Sequence, residues 1–175
     1  MIENKLSQIN NKLQYVLHNV PKRYIYIDTA NQKMFLSEEN QLTKTFDIST
    51  SKFGIGNREG SHQTPQGVHK IVEKIGHNAS EGRIFESRID TGIDWRDDLT
   101  KENMILSRIL RLQGLEPGVN SGPGIDSYER YIYIHGTNRE DLIGTPMSHG
   151  CICMRNKDII ELFTMVEEDT IVIID

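Results

Sequence analysis

Ile2, Leu6, Ile9, Leu13, Val16, Leu17 and Val20 recur at steps of three and four, which predicts one amphipathic helix over residues 1–20, stopped by Pro21. Such a stripe packs on the body of its own domain, with a partner-binding or dimerising face as the alternative. From Arg23 the period shortens. RYIYID, KMFL, LTKTFDIST, GVHKIVEKI, RIFESR, RYIYIHG and TIVIID are short runs separated by turn residues, and Tyr24, Tyr26, Tyr131 and Tyr133 alternate with isoleucines as in two-faced strands. ENMILSRILRLQGLEPG fits a helix or a buried strand, and we read it as strand. NKDIIELFTMVEED reads as a helix with Ile159, Ile160, Phe163 and Val166 inward and Asn156 as its cap. Residues 53–67 and 113–127, rich in Gly, Pro, Asn and Ser, read as long loops and as candidate walls of a cleft. The expected fold is mainly β with a few helices.

A chain of 175 residues, 37% hydrophobic and 26% charged, has room for one core and one domain. Its formal charge of -5 gives no basic face for nucleic acid or an anionic membrane, so neither partner is expected. The opening residues lack the basic start and unbroken apolar run of a signal peptide, and no stretch reaches the roughly 18 apolar residues of a membrane span. The expected compartment is the cytoplasm, or the periplasm if a leader has been removed.

Cys151 and Cys153 are the two cysteines of the chain, too few for a disulfide framework, and one residue apart in an extended stretch they are poorly placed to bond each other. They lie in SHGCICMRN, with His149 just ahead and His135 upstream at the end of RYIYIH. Four donors so close together raise zinc, although C-x-C is tighter than the C-x(2-4)-C of structural sites; a thioredoxin-like pair needs C-x-x-C, which this misses by one residue. The third reading is a nucleophile. A thiol needs a base and oriented N–H groups to be activated at neutral pH, and Gly150 permits a tight turn that leaves such groups uncrowded. His135 is then the base and Cys151 the nucleophile.

IHGT at 134–137 followed by SHGC at 148–151 resembles the signature of the L,D-transpeptidase catalytic domain, also called the YkuD-like domain. DISTSKFGIGNREGSHQTPQGVHKI, ILSRILRLQGLEPGVN and TIVIID are similar to further segments of that family, so the resemblance covers about residues 23–175 and leaves the N-terminal helix outside. It implies a β-sandwich carrying a cysteine enzyme of murein stem peptides, without cofactor or metal. Residue by residue, it implies Cys151 as nucleophile, His135 as base oriented by the Gly136 carbonyl, and His149 with backbone donors around Gly150 supporting the thiolate or oxyanion. Ser148, Thr137 and Arg155 are the substrate contacts it suggests.

The family commonly has Arg or Asn two residues after the nucleophile, where this chain has Cys153; Arg155 compensates only if it turns inward. The implied reaction is attack on the L,D bond between a third-position diamino acid and D-Ala, in a tetrapeptide stem that is free or linked to sugar or nucleotide. A water acceptor makes the enzyme an L,D-carboxypeptidase and an amine acceptor a transpeptidase; without an export signal we expect hydrolysis in peptidoglycan recycling. The competing class is a non-catalytic murein-peptide binding module, and the oligomeric state stays open. His62 and His69 flank the T-P-Q-G turn as loop and strand histidines, His18 and His77 read as incidental, Trp95 as a packing anchor, and Arg88 and Arg108 as surface ion pairs or substrate-carboxylate ligands.

Overall fold

The computed structural model describes residues 2–96 and 102–175. It opens with helix α1 (Ile2–Leu17), followed by β1 (Arg23–Asp28), β2 (Lys33–Glu38), β3 (Gln41–Asp47), β4 (Gly67–Ile75), β5 (Arg83–Glu86), β6 (Ile89–Asp94), β7 (Ile105–Gly114), β8 (Tyr133–Gly136) and β9 (Ile152–Met154). Helix α2 (Asn156–Met165) and β10 (Ile171–Ile174) complete the chain. The described strands form one sheet in the order β3-β2-β1-β10-β4-β7-β5-β6, and β8 branches from β7 to carry β9. The branch folds the sheet back on itself as a sandwich, closed where Ser49, just past β3, bridges to Cys153.

Alternation along the strands accounts for the layers. Ile25 and Ile27 of β1 point into the main core with Met34, Leu36, Leu110, Ile134, Ile152 and the buried face of α2. Tyr24 and Tyr26 point the other way, where Ile9 and Leu13 of α1 cover them. The N-terminal helix therefore packs on its own sheet, and the Tyr24 hydroxyl donates to Asn10 Oδ1 at 3.0 Å. It ends at Leu17, ahead of Pro21, because His18 adopts a left-handed conformation (φ 61°). ENMILSRILRLQG is strand from Ile105, buried over most of its length as the hub between β4, β5 and β8.

Two local readings are corrected. RYIYIHG is strand only from Tyr133, since Tyr131 turns left-handed (φ 55°) and leaves its ring 52% exposed. Asn156 does not cap α2: Arg155 occupies that position, and the Asn156 N–H is satisfied by Glu140 Oε1 at 2.7 Å. The Asn156 side chain is instead a buried tie, accepting from Ser107 Oγ (2.7 Å) and donating to the Thr137 carbonyl (2.8 Å) and Glu140 Oε1 (2.8 Å). It joins β7, the end of β8 and α2 next to Gly136.

Candidate active site

β8 and β9 run parallel, with Ile134 opposite Ile152 and His135 opposite Cys153. Alternate strand residues share a face, so His135, Cys151 and Cys153 project to the same side. The buried His135 ring is fixed by its Nδ1, 2.7 Å from the Gly136 carbonyl. A carbonyl only accepts, so Nδ1 carries the hydrogen and Nε2 is left as the acceptor. Burial lowers the His135 pKa to about 4 against a weaker opposing effect of the Gly136 contact, which keeps the ring neutral at pH 7. Gly136 itself is dictated by close approach: a Cβ there would lie 2.6 Å from the Leu106 carbonyl oxygen and 2.5 Å from Asn156 Oδ1.

The two thiols have different partners. Cys153 is fully buried, with Sγ 3.8 Å from His135 Nε2 and accepting from Asn103 Nδ2 at 3.3 Å; Asn103 Oδ1 in turn accepts from Thr137 Oγ1 at 2.7 Å. Cys151 is partly exposed, and its sulfur lies 3.4 Å from the Tyr133 N–H and 3.6 Å from the Tyr131 carbonyl. The register explains this, because it seats Cys153, not Cys151, directly opposite the imidazole. Neither thiol is activated at rest. Burial pushes Cys151 up to about 11, opposed by the Tyr133 N–H and the charge of Arg130, and pushes Cys153 up to about 12. Activation expected from histidine and N–H groups in sequence is outweighed by desolvation.

The turn before Cys151 is built by residues from two loops. Gly150 sits at φ 131°, a conformation that glycine tolerates best, with the Gln63 carbonyl only 3.4 Å from where a Cβ would stand. Ser148 Oγ donates to the Cys151 carbonyl (2.6 Å) and accepts the Gly150 N–H (3.2 Å). Thr64 of the T-P-Q-G turn donates to the Gly150 carbonyl at 2.9 Å and accepts the Ser51 N–H at 2.9 Å. Arg130 pins the same loop through the carbonyls of Gly56 (3.1 Å) and Gln63 (2.6 Å).

Cys151, His135, Ser148 and His149 line one open cavity of about 740 Å³, together with Lys52 and Asn103. The exposed His149 ring lies against Phe53 (5.5 Å between centroids) and edge-on to His62 (5.8 Å). Desolvation first, then the charges of Lys52 and His62, lower its pKa.

The remaining sequence candidates lie elsewhere or are otherwise engaged. Thr137 is buried and spends its hydroxyl on Asn103 and on the Arg139 N–H (3.0 Å). Arg155 does not turn inward; it faces Asp47 (3.1 Å) and Asp158 (3.8 Å). His69 is buried between the Gly67 carbonyl (3.0 Å) and Ser127 Oγ (2.8 Å). Arg108 donates to the carbonyls of Ala79 and Ser107, both at 2.7 Å, and Trp95 closes the base of the β5–β6 hairpin on the Gly82 carbonyl at 2.8 Å. Of the two long loops, 53–67 supplies no residue to the lining of the cavity and instead supports the His149 ring through Phe53 and His62. The 113–127 loop buttresses it, with the Glu59 N–H on the Gly124 carbonyl (2.8 Å) and Asn120 Nδ2 on the Gln66 carbonyl (3.1 Å). The sequence reading missed Lys52, Asn103 and Arg130, none of which stands in a recognisable spacing to the cysteines. Among the described residues no three His, Cys, Asp or Glu side chains are gathered as a metal site.

Similarity to known proteins bears on the family and the fold. Two Bacillus subtilis (strain 168) proteins are similar over short stretches: YkuD, 52% identical over 42 residues (24% of this chain and 26% of that protein), and YqjB, 46% identical over 41 residues (23% of each). The chain thus matches about a quarter of the length of either. Among solved structures, the L,D-transpeptidase of Enterococcus faecium, in a cysteine-to-serine variant, superposes with a TM-score of 0.56 at 19% identity, covering 89% of this chain and 50% of that one. An L,D-transpeptidase from Mycobacterium smegmatis gives 0.54 at 14% identity, covering 88% and 58%. At these identities the superpositions establish the fold. The model of the L,D-transpeptidase catalytic domain matches residues 22–174, all of the sandwich and none of α1, and the chain belongs to that family.

Proposed function

We propose that the chain is a cysteine acyl-transfer enzyme acting on the L,D peptide bond of murein tetrapeptide stems, with water as the acyl acceptor, an L,D-carboxypeptidase. The observation that carries the reading is the single cavity lined both by a partly exposed thiol, Cys151, and by a buried imidazole, His135, whose Nδ1–H is held by the Gly136 carbonyl so that Nε2 is the acceptor. On substrate binding the Cys151 thiol leaves the Tyr131 carbonyl, gives its proton to His135 Nε2, and the sulfur attacks the carbonyl carbon of the third residue. The proton then passes to the departing D-Ala amine, leaving a thioester that water cleaves. Cys153 is sealed from substrate and shares the Nε2 acceptor.

The Gly150 N–H is already held by Ser148, so Gly150 serves the site through its turn, and the Cys151 N–H with His149 faces the developing oxyanion. Ser148 likewise shapes the turn rather than contacting the peptide. Water is taken as the acceptor because hydrolysis asks no second peptide site of the cavity that Cys151 lines. Mass spectrometry of L-Ala-γ-D-Glu-meso-diaminopimelate-D-Ala after incubation, with and without D-Met, tests this. Tripeptide alone supports hydrolysis, a D-Met-terminated tetrapeptide shows amine transfer, and no change in either reaction refutes the proposal.

A further inference from the structure

We infer that Arg88, presented on the ring of Tyr131 and the hydroxyl of Tyr133, is a carboxylate-recognising residue that selects acidic peptides; this rests on the peptide-acylation reading above. Tyr133 connects it to the chemistry, since its backbone N–H holds the Cys151 sulfur at 3.4 Å while its phenol oxygen accepts from Arg88 at 3.0 Å. Tyr131 does the same from the other side: its carbonyl lies 3.6 Å from that sulfur, and the Arg88 guanidinium lies 5.2 Å from its ring centroid. One pair of tyrosines thus places both the nucleophile and a guanidinium, and a phenol's length separates the two, on the order of 10 Å, or about three extended residues.

What distinguishes Arg88 is what it lacks. Around the site, Arg139 is paired with Asp141, Arg155 with Asp47, and Arg130 is spent on loop carbonyls. No carboxylate lies within 4 Å of Arg88 among the described residues, and Tyr133 is its hydrogen-bond partner within the chain. Four N–H donors therefore remain for a bidentate carboxylate. Partly buried at the tip of the β5–β6 hairpin, it sits beside the Tyr131 ring, which also has the Arg111 guanidinium at 5.2 Å. Glu73 pairs with Arg111 and its charge also reaches Arg88, so two guanidiniums face one carboxylate around this ring and a net positive charge remains. Lys52, held over the Phe53 ring, and Arg139 are the cations that line the Cys151 cavity itself; Arg88 stands outside that lining and adds a guanidinium from the β5–β6 hairpin.

The murein peptide offers two carboxylates at this reach, the α-carboxylate of D-Glu and the side-chain carboxylate of the diamino acid. Calorimetric titration of the full chain carrying Cys151→Ser with the tetrapeptide, and with forms amidated at one or the other position, identifies which is bound. Amidation at one position should weaken binding about tenfold or more with Arg88 present. In the Arg88→Ala background the acid and the amide should bind alike, with Arg88→Lys intermediate. An acid-to-amide ratio unchanged by Arg88→Ala, or no preference for acid in the starting protein, overturns the inference. If the unsubstituted enzyme turns over peptide while that ratio does not move, only the Arg88 inference fails. If peptide binds with an Arg88-dependent ratio but is never cleaved, only the catalytic reading fails.

Discussion

The resting state of Cys151 sets a measurable chemical signature. Its thiol is pushed up to about 11 and the proposed base, His135, down to about 4, so at neutral pH the cavity is lined by a neutral thiol and a neutral imidazole. A free cysteine has a pKa near 8.5 and is about 3% thiolate at pH 7; a thiol at about 11 is about 0.01% thiolate, roughly 300-fold less. The more basic thiolate regains part of this, because exchange reactivity rises with basicity at a Brønsted slope of about 0.4–0.5, or roughly tenfold over this interval. The expected exchange rate with dithiodipyridine at pH 7 is therefore about 30-fold below that of free cysteine. Because restricted access lowers the rate equally at every pH, the shape of the profile is the diagnostic.

Log rate should rise with unit slope from pH 6 to pH 10, past the point where free cysteine levels off. The Cys151→Ser variant reports the background from Cys153, which at about 12 and fully buried should be silent. An inflection below pH 7, or a rate faster than free cysteine, would mean a thiolate–imidazolium pair. That result would refute the argument that desolvation outweighs the Tyr133 N–H and Arg130.

Gly136→Ala drives a methyl into the Leu106 carbonyl and Asn156 Oδ1, and should cost about 1–3 kcal/mol in urea unfolding, with activity falling further than the folded fraction because His135 moves with the strand. Thr64→Val strands the Gly150 carbonyl and the Ser51 N–H, and a loss of about 1–3 kcal/mol is expected from the same measurement. His69 and His135, both lowered to about 4, are neutral in the fold but protonate near 6.5 when unfolded, so stability is full above that value and falls as pH drops towards 4. Each should contribute a loss of about 2 kcal/mol between pH 7 and pH 5. His69→Gln should remove about half of that slope in denaturation curves taken at the two pH values, and an unchanged slope contradicts the assignment.

Much of the sandwich is legible in the sequence because its strands have two different faces. RYIYID shows this: its isoleucines and tyrosines serve separate cores, and the apolar stripe of α1 exists to cover the tyrosines. RYIYIHG carries the same alternation, yet half of it is not strand. What decides is the left-handed turn at Tyr131, imposed by tertiary contacts rather than by an intrinsic preference of tyrosine. Asn156 misleads for a related reason. Its position before an apolar helical face is that of a cap, but a carboxylate from Glu140 takes over the N–H and frees the amide for buried ties.

The site was legible in its parts but not in its pairing. Alternation alone places Cys151 and Cys153 on one face, and the end of RYIYIH supplies a histidine; nothing local specifies the parallel register that sets His135 against Cys153. That register has a mechanistic consequence. With Nε2 already in contact with a buried thiol, Cys151 approaches the base only by giving up its contacts with Tyr131 and Tyr133, the residues that also carry Arg88. A peptide whose carboxylate engages Arg88 would pull on the same two tyrosines that hold the sulfur. Substrate recognition and release of the nucleophile are then coupled through a few hydrogen bonds, so Arg88→Ala should depress turnover of the acidic peptide, whereas an Arg88 that contributed ground-state binding alone would change KM and leave kcat as it was.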